Sequence, residues 1–290
     1  MTIKEKGYTH WEGELRDGRF PWWPITRFGI KLTFKRKFFK FLFALTLIPA
    51  LVWLVGIYIS ERLEDFSFMV RGDQTDFLNV NPSYFSTYFT NDFLLFMIIM
   101  ILVFCGAGLI SDDLKHNALQ LYFARPLKKK DYLFGKAAVI FFFLFIITLV
   151  PGLVFIIMKL IFAGNFKFIA SYPWLLLSII VYSALLTSFF ALYTLLLSSI
   201  GKNRRYVAIL IFGVYIFSDI FFGIFYGIFR NQYFSLLSIK ANIQQIGAVL
   251  FNQRTPQDVP WIYSLLIILG ICVLSGLFLN KRVKGVEIIK

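Results

Sequence analysis

Apolar and polar residues fall in long blocks along this chain, not in the short alternation of a soluble fold. Six apolar runs, at 38–60, 93–110, 137–160, 174–200, 207–229 and 261–279, are each long enough to cross about 30 Å of hydrocarbon as a helix. Ahead of the first run, Pro24 suits the first turn of a helix over 23–37. Ile25, Phe28, Gly29 and Leu32 share one face of that helix, and Arg27, Lys31 and Lys35 form the neighbouring stripe, although Ile30 and Phe34 interrupt the pattern. With Trp11, Trp22 and Trp23 nearby, this predicts an amphipathic helix lying in the membrane–water interface. The segment 231–260 has helical periodicity but is too short and polar to span, so it lies on the outer surface or re-enters partway.

The longest polar interruption with a dense basic cluster is 111–136. Ser111, Asp112 and Asp113 offer cap chemistry and negative charge for a first helical turn. Leu114, Ala118, Leu121 and Tyr122 follow at helical spacing as one apolar stripe, with Lys115, His116, Asn117 and Gln120 off it. Pro126 stops the helix and biases Arg125 toward extended geometry, and Asp131 caps a following helix from Tyr132. A passive connector needs none of these features.

Composition supports the membrane reading: 58% of residues are hydrophobic, above the roughly 45–50% usual in soluble domains. Twenty-three of the thirty Lys and Arg fall in the amino-terminal segment, the 111–136 loop, the 201–206 loop and the tail, which the six spans place on one side. Both termini and the 111–136 loop are therefore predicted to face the cytoplasm. The first external loop, 61–91, is acidic and aromatic, with Glu61, Glu64, Asp65, Asp73 and Asp76. The net charge of +14 flanks apolar runs without a stacking platform or groove-reading motif, which points to anionic lipid and away from nucleic acid.

Catalytic patterns are missing. No G-x-x-x-x-G-K-[ST] loop occurs, and Gly135-Lys136 is followed by Ala137. His10 and His116 belong to no H-E-x-x-H motif, no G-x-S-x-G elbow appears, and Cys105 and Cys272 lack metal-ligand spacing. No enzyme, metal site or directly bound cofactor is expected. Asp219, beside Ser218, is the one acidic residue deep in an apolar run; such a carboxylate lines a path, sits at a helix seam or pairs with a neighbour. Gly223 and Gly227 form a small-x-x-x-small pair that permits close helix approach. Hydroxyls at Ser178, Ser183, Thr187, Ser188, Thr194, Ser198 and Ser199 in the fourth span either bond backbone carbonyls, the expected use, or line a mildly polar path.

Gly106-Ala107-Gly108-Leu109-Ile110, Asp112-Asp113, Lys115, Ala118-Leu119-Gln120, Leu121-Tyr122, Arg125-Pro126, Asp131-Tyr132 and Gly135-Lys136 together resemble the type-two ABC transporter permeases, the membrane subunits of ATP-driven exporters. The resemblance implies an all-α integral membrane protein with six transmembrane helices, an amino-terminal interfacial helix and a cytoplasmic coupling helix between spans two and three. The domain layout is a lead-in over 1–37, a permease domain over 38–280 and a basic tail over 281–290. It implies a cytoplasmic ABC ATPase subunit that uses ATP and Mg, and a second permease copy or paralogue, in a bacterial or archaeal cytoplasmic membrane. Asp112, Asp113, Lys115, Gln120, Leu121, Tyr122, Arg125 and Pro126 become the ATPase-coupling residues; Ser218, Asp219, Gly223 and Gly227 mark a translocation path or helix seam. The alternatives are a membrane scaffold that docks another cytoplasmic partner by the same loop, and an intramembrane lipid-modifying enzyme.

Overall fold

The computed structural model describes residues 20–62, 80–123 and 127–283, and the regular elements among them are all helical. They are α1 (Trp23–Phe34), α2 (Lys37–Glu61), α3 (Pro82–Phe89), α4 (Asp92–Cys105), α5 (Gly108–Lys115), α6 (Ala118–Phe123), α7 (Lys129–Ile147), α8 (Leu149–Ala163), α9 (Lys167–Ser171), α10 (Trp174–Ile200), α11 (Arg204–Phe229), a 3-10 turn (Gln232–Leu237), α12 (Ile239–Leu250) and α13 (Trp261–Arg282). Among the described residues, six stretches are long and apolar enough to cross a membrane: Lys37–Glu61, Pro82–Lys115, Lys129–Ala163, Trp174–Ile200, Arg204–Phe229 and Trp261–Arg282. They contain the six predicted runs and extend most of them into polar flanks.

Two of these stretches are broken, each for a local reason. Pro151 has no N–H to give Ile147 O, so the third span splits into α7 and α8. The Tyr88 hydroxyl donates to that freed carbonyl at 2.8 Å. In the second span, Gly106 and Ala107 form a turn between α4 and α5.

The helices form an inner and an outer layer. Ile98, Ile99 and Leu102 of α4, Val139 and Phe143 of α7, and Ile179, Tyr182 and Phe190 of α10 are wholly buried. The outer helices leave apolar rows open, including Leu51 and Val55 on α2, Phe217 and Ile228 on α11, and Val273 and Leu277 on α13. In lipid such rows need no protein cover, and helices associate by close packing more than by water exclusion. The cluster of Phe34, Phe39, Phe43 and Phe143, with ring centroids 5.0–5.9 Å apart, is packing of this kind.

Side-chain ties establish which helix ends share a face. Lys129 Nζ donates to Asn280 O, and Arg36 and Arg204 both donate to Phe104 O. The start of α2, the end of α4, the starts of α7 and α11 and the end of α13 therefore lie together. At the opposite face Lys159 pairs with Glu61, joining α8 to α2.

Helix α1 leans along α7 by a face that includes the two residues interrupting the amphipathic pattern. Ile25, Thr26, Gly29, Ile30, Thr33 and Phe34 turn inward, whereas Phe28 and Leu32 are exposed beside Arg27, Lys31 and Lys35. Gly29 admits Val139, which would lie 2.6 Å from a Cβ there. Ile30 and Phe34 break the amphipathic pattern because α1 has two apolar contacts to make, one with α7 and one outward.

The 231–260 segment folds back among α10, α11 and α13. Ser238 caps α12 by accepting Ala241 N–H at 3.1 Å, and the buried Gln245 amide donates to Val259 O at 2.7 Å. Lys240 meets Asp219, ten residues before the end of α11, a depth of about 15 Å at the helical rise. The segment therefore packs along the ends of the spans by its own polar contacts and does not hang free of them.

Candidate functional site

The loop between the second and third spans begins inside the bundle. Ile110 and Ser111 N–H, unsatisfied first-turn donors of α5, both reach Ser198 Oγ on α10, at 3.0 and 3.1 Å. Ser198 Oγ in turn donates to Ala107 O at 2.9 Å, and Ser111 Oγ to the same carbonyl at 2.7 Å. The helix therefore starts at Gly108, and Ser111, Asp112 and Asp113 lie within it instead of capping it. A hydroxyl from another span supplies the cap.

Nor is the predicted helix continuous. It stops at Lys115, where His116 Nδ1 lies 2.8 Å from Asp112 O, and Asn117 takes a left-handed φ of 51° before α6. Asn tolerates that region better than most residues. The apolar stripe is thereby split: Leu114 packs against the core, and Tyr122 rests on Tyr132 with centroids 5.3 Å apart. The side chain of Leu121, and all of Arg125 and Pro126, lie outside the described residues. Helix α7 starts at Lys129, so Asp131 is a first-turn charge and not a cap.

Inward, the loop is held by one buried pair. Asp113 meets Lys136 Nζ at 2.6 Å, with the two side chains 15% and 10% exposed. It also accepts the Tyr132 hydroxyl at 2.7 Å. The ammonium lies over the Tyr122 and Tyr132 rings at 5.7 and 5.4 Å, within cation–π range. Burial, then the Asp113 charge, raise the Tyr122 pKa, so its phenol stays protonated at neutral pH. Next to Lys136, Gly135 accepts Thr26 Oγ1 on its carbonyl at 3.0 Å. A Cβ there would meet Trp22 O at 2.9 Å, so the Gly-Lys dipeptide brings α1 close and anchors the loop. Outward, Lys115, His116, Asn117 and Gln120 are exposed and Asp112 is half-buried. The result is an elbow with a fixed inner side and a polar, partly cationic outer side.

The family model described as ABC-2 family transporter protein matches residues 28–279. The chain belongs to the ABC-2 transporter family. No curated protein matches it. As an ABC-2 family member it is the membrane subunit of an ABC transporter and a multi-pass membrane protein, and membership implies association with an ABC ATPase subunit.

The other residues singled out in this ABC-2 chain fall at the opposite face. Asp219 Oδ2 lies 2.8 Å from Lys240 Nζ, and its Oδ1 accepts the Ser238 hydroxyl at 2.9 Å. Ser218 Oγ accepts Ile239 N–H at 3.2 Å. Lys240 is also 3.7 Å from Asp92, which accepts the Gln244 amide at 2.7 Å. Burial opposes the Lys240 charge, the two carboxylates favour it, and the net effect raises its pKa. Sequence reasoning missed Asp92, Lys240 and Gln244; the signal available was Lys240 and Gln244 one helical turn apart. Gly223 and Gly227 meet no atom within 4 Å of a built Cβ, so no helix among the described residues packs on them. In the fourth span, Ser178 and Ser199 bond backbone carbonyls as expected. Ser183, Thr187 and Thr194 have buried hydroxyls with no partner among the described residues.

Proposed function

We propose that this chain is the permease subunit of an ATP-driven exporter and that the α5–α6 elbow docks on a cytoplasmic ABC ATPase subunit, which alone uses ATP and Mg. The observation that carries the reading is the division of the elbow. Asp113 and Lys136 fix its inner side to the third span, while Lys115, His116, Asn117 and Gln120 are free to meet a partner. The excess of Lys and Arg on the face shared by Lys129, Asn280 and the elbow supports a cytoplasmic orientation of that face and of both termini. Arg27, Lys31 and Lys35, beside exposed Trp23, Phe28 and Leu32, suit α1 and the 1–37 lead-in to anionic headgroups of a bacterial or archaeal cytoplasmic membrane. Substrate translocation then shifts the 38–280 bundle between two packings, biased by ATP bound on the partner.

The test uses the chain co-expressed with its genomically adjacent ATPase in lipid nanodiscs. Wild type is expected to co-purify with the ATPase and hydrolyse ATP, and Lys115→Glu/Gln120→Glu to weaken both about tenfold or more while staying folded. A folded variant that behaves as wild type sinks the docking reading. Retention of a different partner without response to nucleotide favours a scaffold.

A second copy of the chain is the occupant we assign to the open face of α11. That face carries a groove of about 880 Å³ along Ile209, Gly213, Phe217, Phe221 and Phe225, with Gly223 and Gly227 in open space beyond. Small residues without an approaching helix suit close contact between helices of two chains. Oxidation of Gly223→Cys in membranes is expected to give a cross-linked dimer; monomer alone leaves lipid as the occupant.

A further inference from the structure

The break in the second span leaves Phe104 O without the helical donor that Gly108 N–H would be in a continuous helix. Gly106 N–H makes the last regular bond of α4, to Leu102 O at 2.7 Å, and Leu109 N–H closes the turn on Gly106 O at 3.0 Å. Phe104 O instead takes two guanidiniums, Arg36 Nη1 at 2.9 Å and Arg204 Nη2 at 2.8 Å. Arg36 stands just before α2 and Arg204 opens α11. Two like charges converging on one neutral carbonyl repel each other, so the arrangement needs more than general solvation to explain it. A nearby carboxylate offsets part of the repulsion: Asp112 of the elbow and Arg204 Cδ both crowd the place a Cβ on Gly108 would take. On the other side of the break, Ser198 holds Ala107 O and the Ile110 and Ser111 amides, as described above. Gly106 is pressed against Thr194 of the same helix, α10.

We propose that Arg36, Arg204 and Ser198 are positioning residues of a hinge at 104–108, which carries displacement of the α5–α6 elbow into the first, fourth and fifth spans. The proposal rests on the docking reading of the elbow and adds the route by which docking reaches the membrane. A continuous helix would transmit motion along its own axis. A two-residue turn whose polar groups are held by three other spans converts rotation of α5 into a pull on each of them, and those hydrogen bonds are the physical connection. Asp112 is the elbow residue nearest that connection, which fits its half-buried position better than direct contact with a partner does.

The test separates docking from transmission by a single fluorescent reporter at either end. In a Cys272→Ser background (Cys105 is buried), a bimane is placed on Gln120→Cys in the exposed elbow, or on Leu237→Cys, 49% exposed at the opposite face. The permease with its co-expressed ATPase in nanodiscs is then compared with and without ATP. With the hinge intact both reporters change on ATP binding. With Arg36→Gln/Arg204→Gln, the Gln120 reporter is expected to keep its response and the Leu237 reporter to lose it by about threefold or more. Arg36→Gln and Arg204→Gln singly each leave one donor on Phe104 O and are expected to give an intermediate loss, which guards against a double variant that fails to fold. Ser198→Ala is expected to lower the Leu237 response in the same direction and to speed hydrogen exchange at the Ile110 and Ser111 amides. An unchanged Leu237 response in the folded variants overturns the hinge and leaves docking standing. Loss of both responses in the variants, with the ATPase still bound, also overturns it, because the arginines would then shape the elbow itself. Failure of wild type to bind an ATPase, or of its Gln120 reporter to respond, is instead failure of the docking reading.

Discussion

Lys136 is buried where a charge is expensive, and its surroundings are built to hold it. Asp113 neutralises it at 2.6 Å, Tyr132 donates a second hydrogen bond to the carboxylate, and two rings face the ammonium. Removing one partner leaves the other buried and uncompensated, at a cost of about 3 kcal/mol for a pair this enclosed. Replacing both with apolar residues costs less. Lys136→Met and Asp113→Leu are each expected to lower the thermal unfolding temperature of the purified chain, and the double variant to recover most of the loss. If the double variant is as unstable as the sum of the singles, the pair is not a coupled unit. The same residue explains why Gly135-Lys136, which cannot cradle phosphate, still belongs to the dense stretch 111–136: one residue admits α1 and the next anchors the elbow.

At the scale of elements, the breaks separate what the sequence shows from what only tertiary structure decides. The number and rough extent of the spans were legible, because the length needed to cross a bilayer is written directly in the apolar runs. The start of α5 was not, since its cap is Ser198, some ninety residues away. The contact of α1 with α7 was not legible for a similar reason: Ile30 and Phe34 look out of place until α7 is beside them. Asp219 was legible as costly, but its partner Lys240 required α12 to fold back on α11, which periodicity left open. The stop at Asn117, like the split at Pro151, has a local cause, here a φ of 51°. Glycine adopts that conformation freely, whereas alanine pays about 1 kcal/mol or more for it. Asn117→Gly is therefore expected to leave ATP hydrolysis by the co-purified complex near wild type. Asn117→Ala should lower it, as α5 and α6 are biased toward one straight helix and the exposed Gln120 swings out of position. Equal activity in the two variants would mean that the bend does not set the docking geometry.

Across the whole molecule, two helices physically join the turn at 106–107 to the polar cluster at the opposite face. Helix α4 runs from Asp92 to the Phe104 carbonyl, and α11 runs from Arg204 to Asp219. At the far end Lys240 on α12 sits between the two carboxylates, close to Asp219 at 2.8 Å and farther from Asp92 at 3.7 Å. A sliding or tilting of α4 against α11 changes the separation of those carboxylates, and α12 follows whichever holds the lysine. Any relative motion of the second and fifth spans would reach α12 through this cluster, and that is what the following variants test. Asp219→Asn keeps the shape and the hydrogen-bond acceptor for Ser238 but removes the charge that outcompetes Asp92. It is expected to free α12, so that Ala241→Cys, at a position buried in the native chain, reacts several-fold faster with a membrane-impermeant maleimide, about the gain from weakening a partly exposed ion pair. Lys240→Met should have the same effect, and the exchange Asp219→Lys/Lys240→Asp should restore slow labelling. Slow labelling in both single variants would show that the apolar packing of Ile239, Ile243 and Ile246 holds α12 without help from the ion pair, and the cluster would then have no part in moving it.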